Sequence, residues 1–186
     1  MNKETVIYIA NNLNKTNCTW AIGGSLLLFQ HGITNIVNDL DIIVKDDDVK
    51  TVVNILCKLG KERKVEPLNP FHTTYYYEFV IKDLFMDVMS EFKIKHDEGV
   101  YVLPFAEHSV KSYMVDGNQT PFCLLEDWYI LYQLIPGREE KVQKVENHFR
   151  KVGIENPAIL KQALKSNLPK NVKTRIQKLL TYVSEI

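Results

Sequence analysis

Asp39 and Asp41 stand two residues apart in NDLDIIVK, a run otherwise built from Leu, Ile and Val. Residues i and i+2 of a strand project to the same face, so this spacing sets two carboxylates side by side. Like charges on an apolar strand repel and lose hydration, and a cation must compensate them. With no Cys or His close by, an all-oxygen ligand set suits Mg²⁺ or Mn²⁺. The plainer alternative is a strand-entry turn with solvated acids. A third carboxylate would complete a two-metal site, and Asp87 is the first candidate. In LFMDVMS it shares a face with Phe85 and Met89, where a lone acid is costly without a partner. Asp83 reads instead as turn chemistry, while Glu78 and Glu91 lie nearer strand ends, which ranks Asp87 above Glu91.

Upstream of this pair, the chain reads AIGGS. Gly23, Gly24 and Ser25 fall between a short apolar run, CTWAI, and an apolar helical run, SLLLFQHG. Glycines let backbone amides approach phosphate oxygens, and a helix start adds free N–H groups. The tripeptide is a weak signal alone, and it is no Walker A loop, because no Lys follows it.

The elements that must position these groups follow from periodicity and punctuation. Val6, Ile9, Ala10 and Leu13 mark an amphipathic helix over 3–14. CTWAI and NDLDIIVK read as strands, and SLLLFQHG as a short buried helix with Ser25 as N-cap and Gly32 as stop. Asp46, Asp47 and Asp48 read as cap and dipole partners of a helix over VKTVVNILCKLG. TTYYYEFVI and LFMDVMSEF form a hairpin turning at Lys82 and Asp83. YVLPF and SVKSYMV add short strands, with a turn at Asp116 and Gly117. Beyond Pro121 the pattern becomes four helices, LLEDWYILYQLI, REEKVQKVENHFRKVG, NPAILKQALKSN and PKNVKTRIQKLLTYVSE. The expected fold is α+β: a mixed sheet with flanking helices over residues 1–120, followed by a helical bundle over 121–186. Tyr75, Tyr76 and Tyr77, like Trp128, Tyr129 and Tyr132, read first as packing groups, although the first three could line a base or acceptor pocket.

The bulk numbers bound the rest. At 186 residues, 45% hydrophobic and 25% charged, the composition is that of a globular protein with one good core. No apolar run approaches the ~20 residues a membrane span needs, and the start shows no secretory pattern, so a cytoplasmic location is expected. Cys18, Cys57 and Cys123 have no metal or disulfide spacing, and five scattered histidines suggest no histidine metal site. The formal charge is zero, but residues 1–136 hold 12 Lys+Arg against 18 Asp+Glu, and residues 137–186 hold 11 against 5. The basic C-terminal helices could receive phosphates or nucleic acid.

GGS, then DLD after a short helix, then a later strand Asp, resembles the DNA polymerase β-like nucleotidyltransferase superfamily, especially its small bacterial members: minimal, antibiotic-modifying and AbiE-type toxin enzymes. LEDWYILYQLIPGREEK is similar to a family helix of the form LEDLIxxKL followed by Gly-Arg and a charged pair, and the likeness spans roughly residues 15–141. Two departures stand out: NIVN precedes Asp39 where relatives often carry a basic residue and a Ser or Thr, and Glu140-Lys141 replaces a Lys-Asp pair. The resemblance implies transfer of an NMP from an NTP to an acceptor hydroxyl, releasing pyrophosphate. It implies two ions bridged by Asp39 and Asp41, with Asp87 on the ion beside the acceptor. It also implies that Gly23, Gly24 and Ser25 hold the β- and γ-phosphates, with Arg138 or Lys141 reaching them from the helical half. A catalytically silent nucleotide-binding or antitoxin-like module of the same fold is the alternative.

Overall fold

A computed structural model describes residues 2–65 and 69–184. The shortest, most apolar segments lie at the centre. Strands β1 (Trp20–Ile22) and β2 (Leu40–Val44) pair antiparallel, and every residue of the two is buried except Asp41. Around them run β3 (Lys61–Arg63), β4 (Tyr75–Ile81), β5 (Leu84–Ser90), β8 (Val110–Val115) and β9 (Asn118–Cys123). The resulting seven-stranded sheet has the order β3-β4-β5-β2-β1-β9-β8, and a separate hairpin joins β6 (Lys93–His96) to β7 (Gly99–Val102). The sheet is mixed, because β2 runs parallel to β5 and β1 parallel to β9. Strands β4 and β5 close through Lys82 and Asp83, both at positive φ (47° and 65°), as a two-residue hairpin turn matching the strand twist demands.

Among the described residues the α-helices are α1 (Lys3–Leu13), α2 (Gly24–Gln30), α3 (Val49–Leu59), α4 (Leu125–Leu134), α5 (Glu139–Val152), α6 (Pro157–Ala163) and α7 (Lys170–Ser184). The mixed sheet with a helical C-terminal part is the α+β arrangement expected. None of the helices is long and apolar enough to cross a membrane. The Asn2 side chain caps α1 through the Glu4 and Thr5 amides, and Val6, Ile9, Ala10 and Leu13 form its buried stripe. Helix α4 differs in being buried almost all round, since it packs against α2, α5, α6, α7 and β6 at once. The sheet and the C-terminal helices therefore share one continuous core.

Several local expectations need correction. Gly23, not Ser25, occupies the N-cap of α2, and Ser25 lies inside the helix. Asp46–Asp48 form a 3₁₀ turn with no capping bond to α3. Their carboxylates tie strands instead: Asp46 accepts from Ser90 Oγ and the Glu91 amide (2.9 Å each), and Asp48 accepts from the Thr19 amide (2.8 Å). Pro121 does not end the sheet but sits within β9. The ladder from β9 to β1 is the single register pair Ile22↔Phe122, so a missing N–H disrupts little there. The short polar strands β3 and β6 carry no alternation strong enough to reveal them. The expected reach of the last helix to Glu185 lies outside the described residues.

The bundle is pinned by one buried acid. Glu146 on α5 accepts from the Tyr129 hydroxyl on α4 (2.7 Å) and from Arg175 on α7 through Nε (2.5 Å) and Nη2 (3.1 Å). Burial alone would raise its pKa, but the bonds from Arg175 and Tyr129 outweigh burial and hold it low. Glu146→Ala strands the Tyr129 hydroxyl and loosens three helices at once. The expected loss is about 2 kcal/mol in urea unfolding, and Glu146→Gln, which keeps one acceptor, should lose less.

Candidate active site

The β2–β5 pairing builds the site. Its parallel register sets Asp41 directly beside Asp87, and Asp39 lies two residues earlier at the bend entering β2. One ligand oxygen from each of the three carboxylates can be chosen so that all lie within 4.8 Å of one another. All three acids are half-buried, and among the described residues no ion pair reaches any of them.

The glycines are demanded by close approach. Gly24 has φ +59°, and a Cβ there would lie 1.7 Å from Asp41 Oδ2. A Cβ on Gly23 would lie 2.0 Å from Cζ2 of Trp128. The Gly23 amide donates to the Asp41 carbonyl (2.9 Å), which locks the turn to the strand carrying the carboxylate. Ser25 is 4% exposed, and its Oγ accepts the Asn38 amide (3.2 Å), which fixes the loop that delivers Asp39. Of the tripeptide expected to cradle phosphates, Gly24 alone lines the cavity over the carboxylates. Gly23 is covered by the Trp128 indole, and Ser25 acts on the backbone behind the site.

That cavity encloses about 190 Å³. Asp39, Asp41, Asp87 and Gly24 line it together with Arg138 and Lys141, which come from the start of α5. Its aromatic surface comes from Tyr76, Trp128, Tyr132 and the stacked pair Phe71 and Phe92, whose ring centroids are 5.8 Å apart. Tyr75 and Tyr77 pack against the core as anticipated; Tyr76 borders the site. Reading Trp128 and Tyr132 as packing alone misses their place here. They stand four residues apart on α4 and share a face, which is the signal that could have linked them. Tyr132 is 3% exposed, yet its hydroxyl has no hydrogen-bond partner among the described residues, and Lys141 Nζ lies 5.1 Å from its ring centroid.

The electrostatics follow from crowding. Burial, then Asp39 and Asp87, push Asp41 up to about 8, against the partial relief of Lys141 and Arg138. Burial likewise raises Asp87 to about 6, where the nearby Tyr76 hydroxyl pulls downward and Asp39 and Glu78 push upward. Lys141 is lowered by burial and by Arg138, with Asp41 and Asp39 acting in the opposite sense. Three oxygen donors that cannot all ionise comfortably, within reach of a common centre, fit hard divalent cations. The facing cations suit a polyanion beside them.

No protein-family model and no curated protein matches the chain. Among solved structures it is similar to a Thermotoga maritima protein provisionally described as a nucleotidyltransferase, at 16% identity and TM-score 0.60, covering 80% of this chain and 92% of that one. It is also similar to ANT(2″)-Ia in complex with adenylyl-2″-tobramycin, at 14% identity and TM-score 0.53, covering 94% of each chain. A third likeness is to the lincosamide antibiotic adenylyltransferase LnuA with lincomycin bound, at 13% identity and TM-score 0.54, covering 80% of this chain and 98% of that one. At these identities the likeness is one of fold.

Two outcomes test the geometry. Asp41 titrates near 4 in an unfolded chain and at about 8 in the fold, so the folded state holds the extra proton between those values. Without divalent ions, stability should fall as pH rises from about 4 to about 8. Asp41→Asn should flatten that slope and melt higher than the wild type at pH 8 in EDTA, as followed by circular dichroism. Gly24→Ala must displace either the turn or the Asp41 carboxylate, and calorimetry with Mn²⁺ should show metal affinity reduced at least tenfold.

Proposed function

We propose that this protein is a metal-dependent nucleotidyltransferase that moves an NMP from an NTP to an acceptor hydroxyl and releases pyrophosphate. The observation that carries this reading is the convergence of Asp39, Asp41 and Asp87 in a cavity that Arg138 and Lys141 also line. The likeness in fold to adenylyltransferases supports it.

Two Mg²⁺ or Mn²⁺ ions, held by Asp39, Asp41 and Asp87, would neutralise charge on the attacking and leaving oxygens. The acceptor oxygen attacks the α-phosphorus, a new O–P bond forms, the bond to the β-phosphate bridging oxygen breaks, and pyrophosphate departs. Asp87 takes the acceptor proton on its carboxylate. Arg138 and Lys141 grip the β- and γ-phosphates and offset charge as pyrophosphate leaves. Within the glycine turn, the missing side chain at Gly24 lets the Asp41 carboxylate lie against the backbone, and Gly23 and Ser25 hold that arrangement through the Asp41 carbonyl and the Asn38 amide. Use of an NTP suits a cytoplasmic setting. A small hydroxylated molecule is the first acceptor class, after the antibiotics named for the structural neighbours, with a protein or tRNA as the others. The surplus of basic residues over 137–186 favours the tRNA arm.

A silent nucleotide-binding or antitoxin-like module is the second reading. The observations that favour it are the Gly23 amide already spent on Asp41, the indole closing over the turn, and NIVN ahead of Asp39. The test incubates the protein with each α-³²P-labelled NTP and Mg²⁺ or Mn²⁺ against itself, tRNA, aminoglycosides and lincosamides. The wild type should label one acceptor, and Asp39→Asn or Asp41→Asn should abolish labelling while leaving the fold intact. Unchanged labelling in either variant removes the mechanism, and nucleotide binding without pyrophosphate release selects the silent module.

A further inference from the structure

A second acid on α4 faces an unrelated cavity. Asp127 is 4% exposed, and among the described residues no hydrogen bond or ion pair reaches its carboxylate. Its neighbour Glu126 is equally buried but satisfied, accepting the Asn156 amide at 2.6 Å. Asp127 instead lines a cavity of about 180 Å³ between β7, α4 and α6. Tyr101, 2% exposed, sits beside it, and burial and then Asp127 suppress ionisation of the phenol. Gln162 and Ser166 supply neutral polar groups, and His108 is the other titratable group lining the space. Pro104, Ile159 and Ala163 supply apolar surface, and among the described residues no Lys or Arg lines the cavity.

A buried carboxylate with neither hydrogen bond nor counter-ion is costly when charged, and burial with the nearby Glu126 holds Asp127 up to about 7. An anion would worsen this, and a single carboxylate offers too few donors to dehydrate a divalent cation. A monovalent ammonium group supplies both the charge and several hydrogen-bond donors. At ~30 Å³ per water-sized body, the space admits roughly six such bodies, enough for a short alkyl chain.

We propose that this cavity is a binding site for a small primary alkylammonium ligand, with its ammonium on the Asp127 carboxylate and the Tyr101 hydroxyl and its stem along Ile159, Pro104 and Ala163. The site is separate from the carboxylate triad. Asp127 and Trp128 are adjacent on α4, yet they open into different cavities. It therefore stands whether or not nucleotidyl transfer does.

The test uses the full chain at pH 8 and n-butylamine, which is protonated there, with n-butanol and butyrate as controls. Binding is followed by ¹H–¹⁵N chemical-shift titration and by melting temperature. Butylammonium should shift the amides of residues 101 and 127 saturably and raise the melting temperature, while the two controls do neither. Asp127→Asn should weaken the response at least tenfold. Ala163→Leu, which fills the cavity and keeps the acid, should abolish it, so the claim does not depend on one variant folding. Equal binding of n-butanol, no saturation at millimolar amine, or an unchanged response in Ala163→Leu would overturn the proposal.

Discussion

Mutual repulsion among three carboxylates is the constraint that the surrounding structure exists to hold. Left to itself, a flexible chain would separate Asp39, Asp41 and Asp87. The parallel β2–β5 ladder prevents this by fixing Asp41 and Asp87 as register partners in the middle of a buried sheet. The Gly23–Asp41 hydrogen bond and the Ser25–Asn38 hydrogen bond then restrain the backbone on either side of Asp39. Burial penalises the charged forms directly, and the neighbouring acids add to it, so Asp41 and Asp87 are pushed toward the protonated form. A site organised in this way would gain affinity for divalent cations, because a bound ion would remove a penalty that the fold has already imposed.

The helical part completes what the sheet begins. Helix α4 lies against α2 and places Trp128 on the glycine turn and Tyr132 over the cavity. The Gly137 turn that follows carries Arg138 and Lys141 into the same space. The link from Tyr129 through Glu146 to Arg175 ties α4 to α5 and α7, so the cations are held against the sheet by a braced bundle. Sheet and bundle thus contribute opposite charges to one small volume.

Much of this is legible in the sequence, for physical reasons. The i, i+2 spacing of Asp39 and Asp41 and the isolation of Asp87 in an apolar run both signal acids that need one another. A double glycine at a strand-to-helix junction signals close backbone approach. What sequence cannot tell is which atom makes that approach: Gly23 and Gly24 are packed tight by an indole and by a carboxylate. Trp128 and Tyr132 read as packing groups because an aromatic lining a cavity and one filling a core have the same periodicity. Asp46 and Asp48 resembled helix caps because capping is local, whereas their partners, Ser90, Glu91 and Thr19, are distant in the chain. Strand β9 was hidden by its proline, whose disruption depends on how much of the neighbouring ladder is used.

The central claim, that these three acids form a divalent-cation site, is tested most directly by titrating Mn²⁺ into the protein at pH 7.5 in two buffers of different ionisation enthalpy. Saturable binding with net proton release is expected, since the ion displaces the proton that Asp41 holds at this pH, together with loss of both signals in Asp41→Asn. Absence of binding, or binding without proton release that survives in Asp41→Asn, would contradict it.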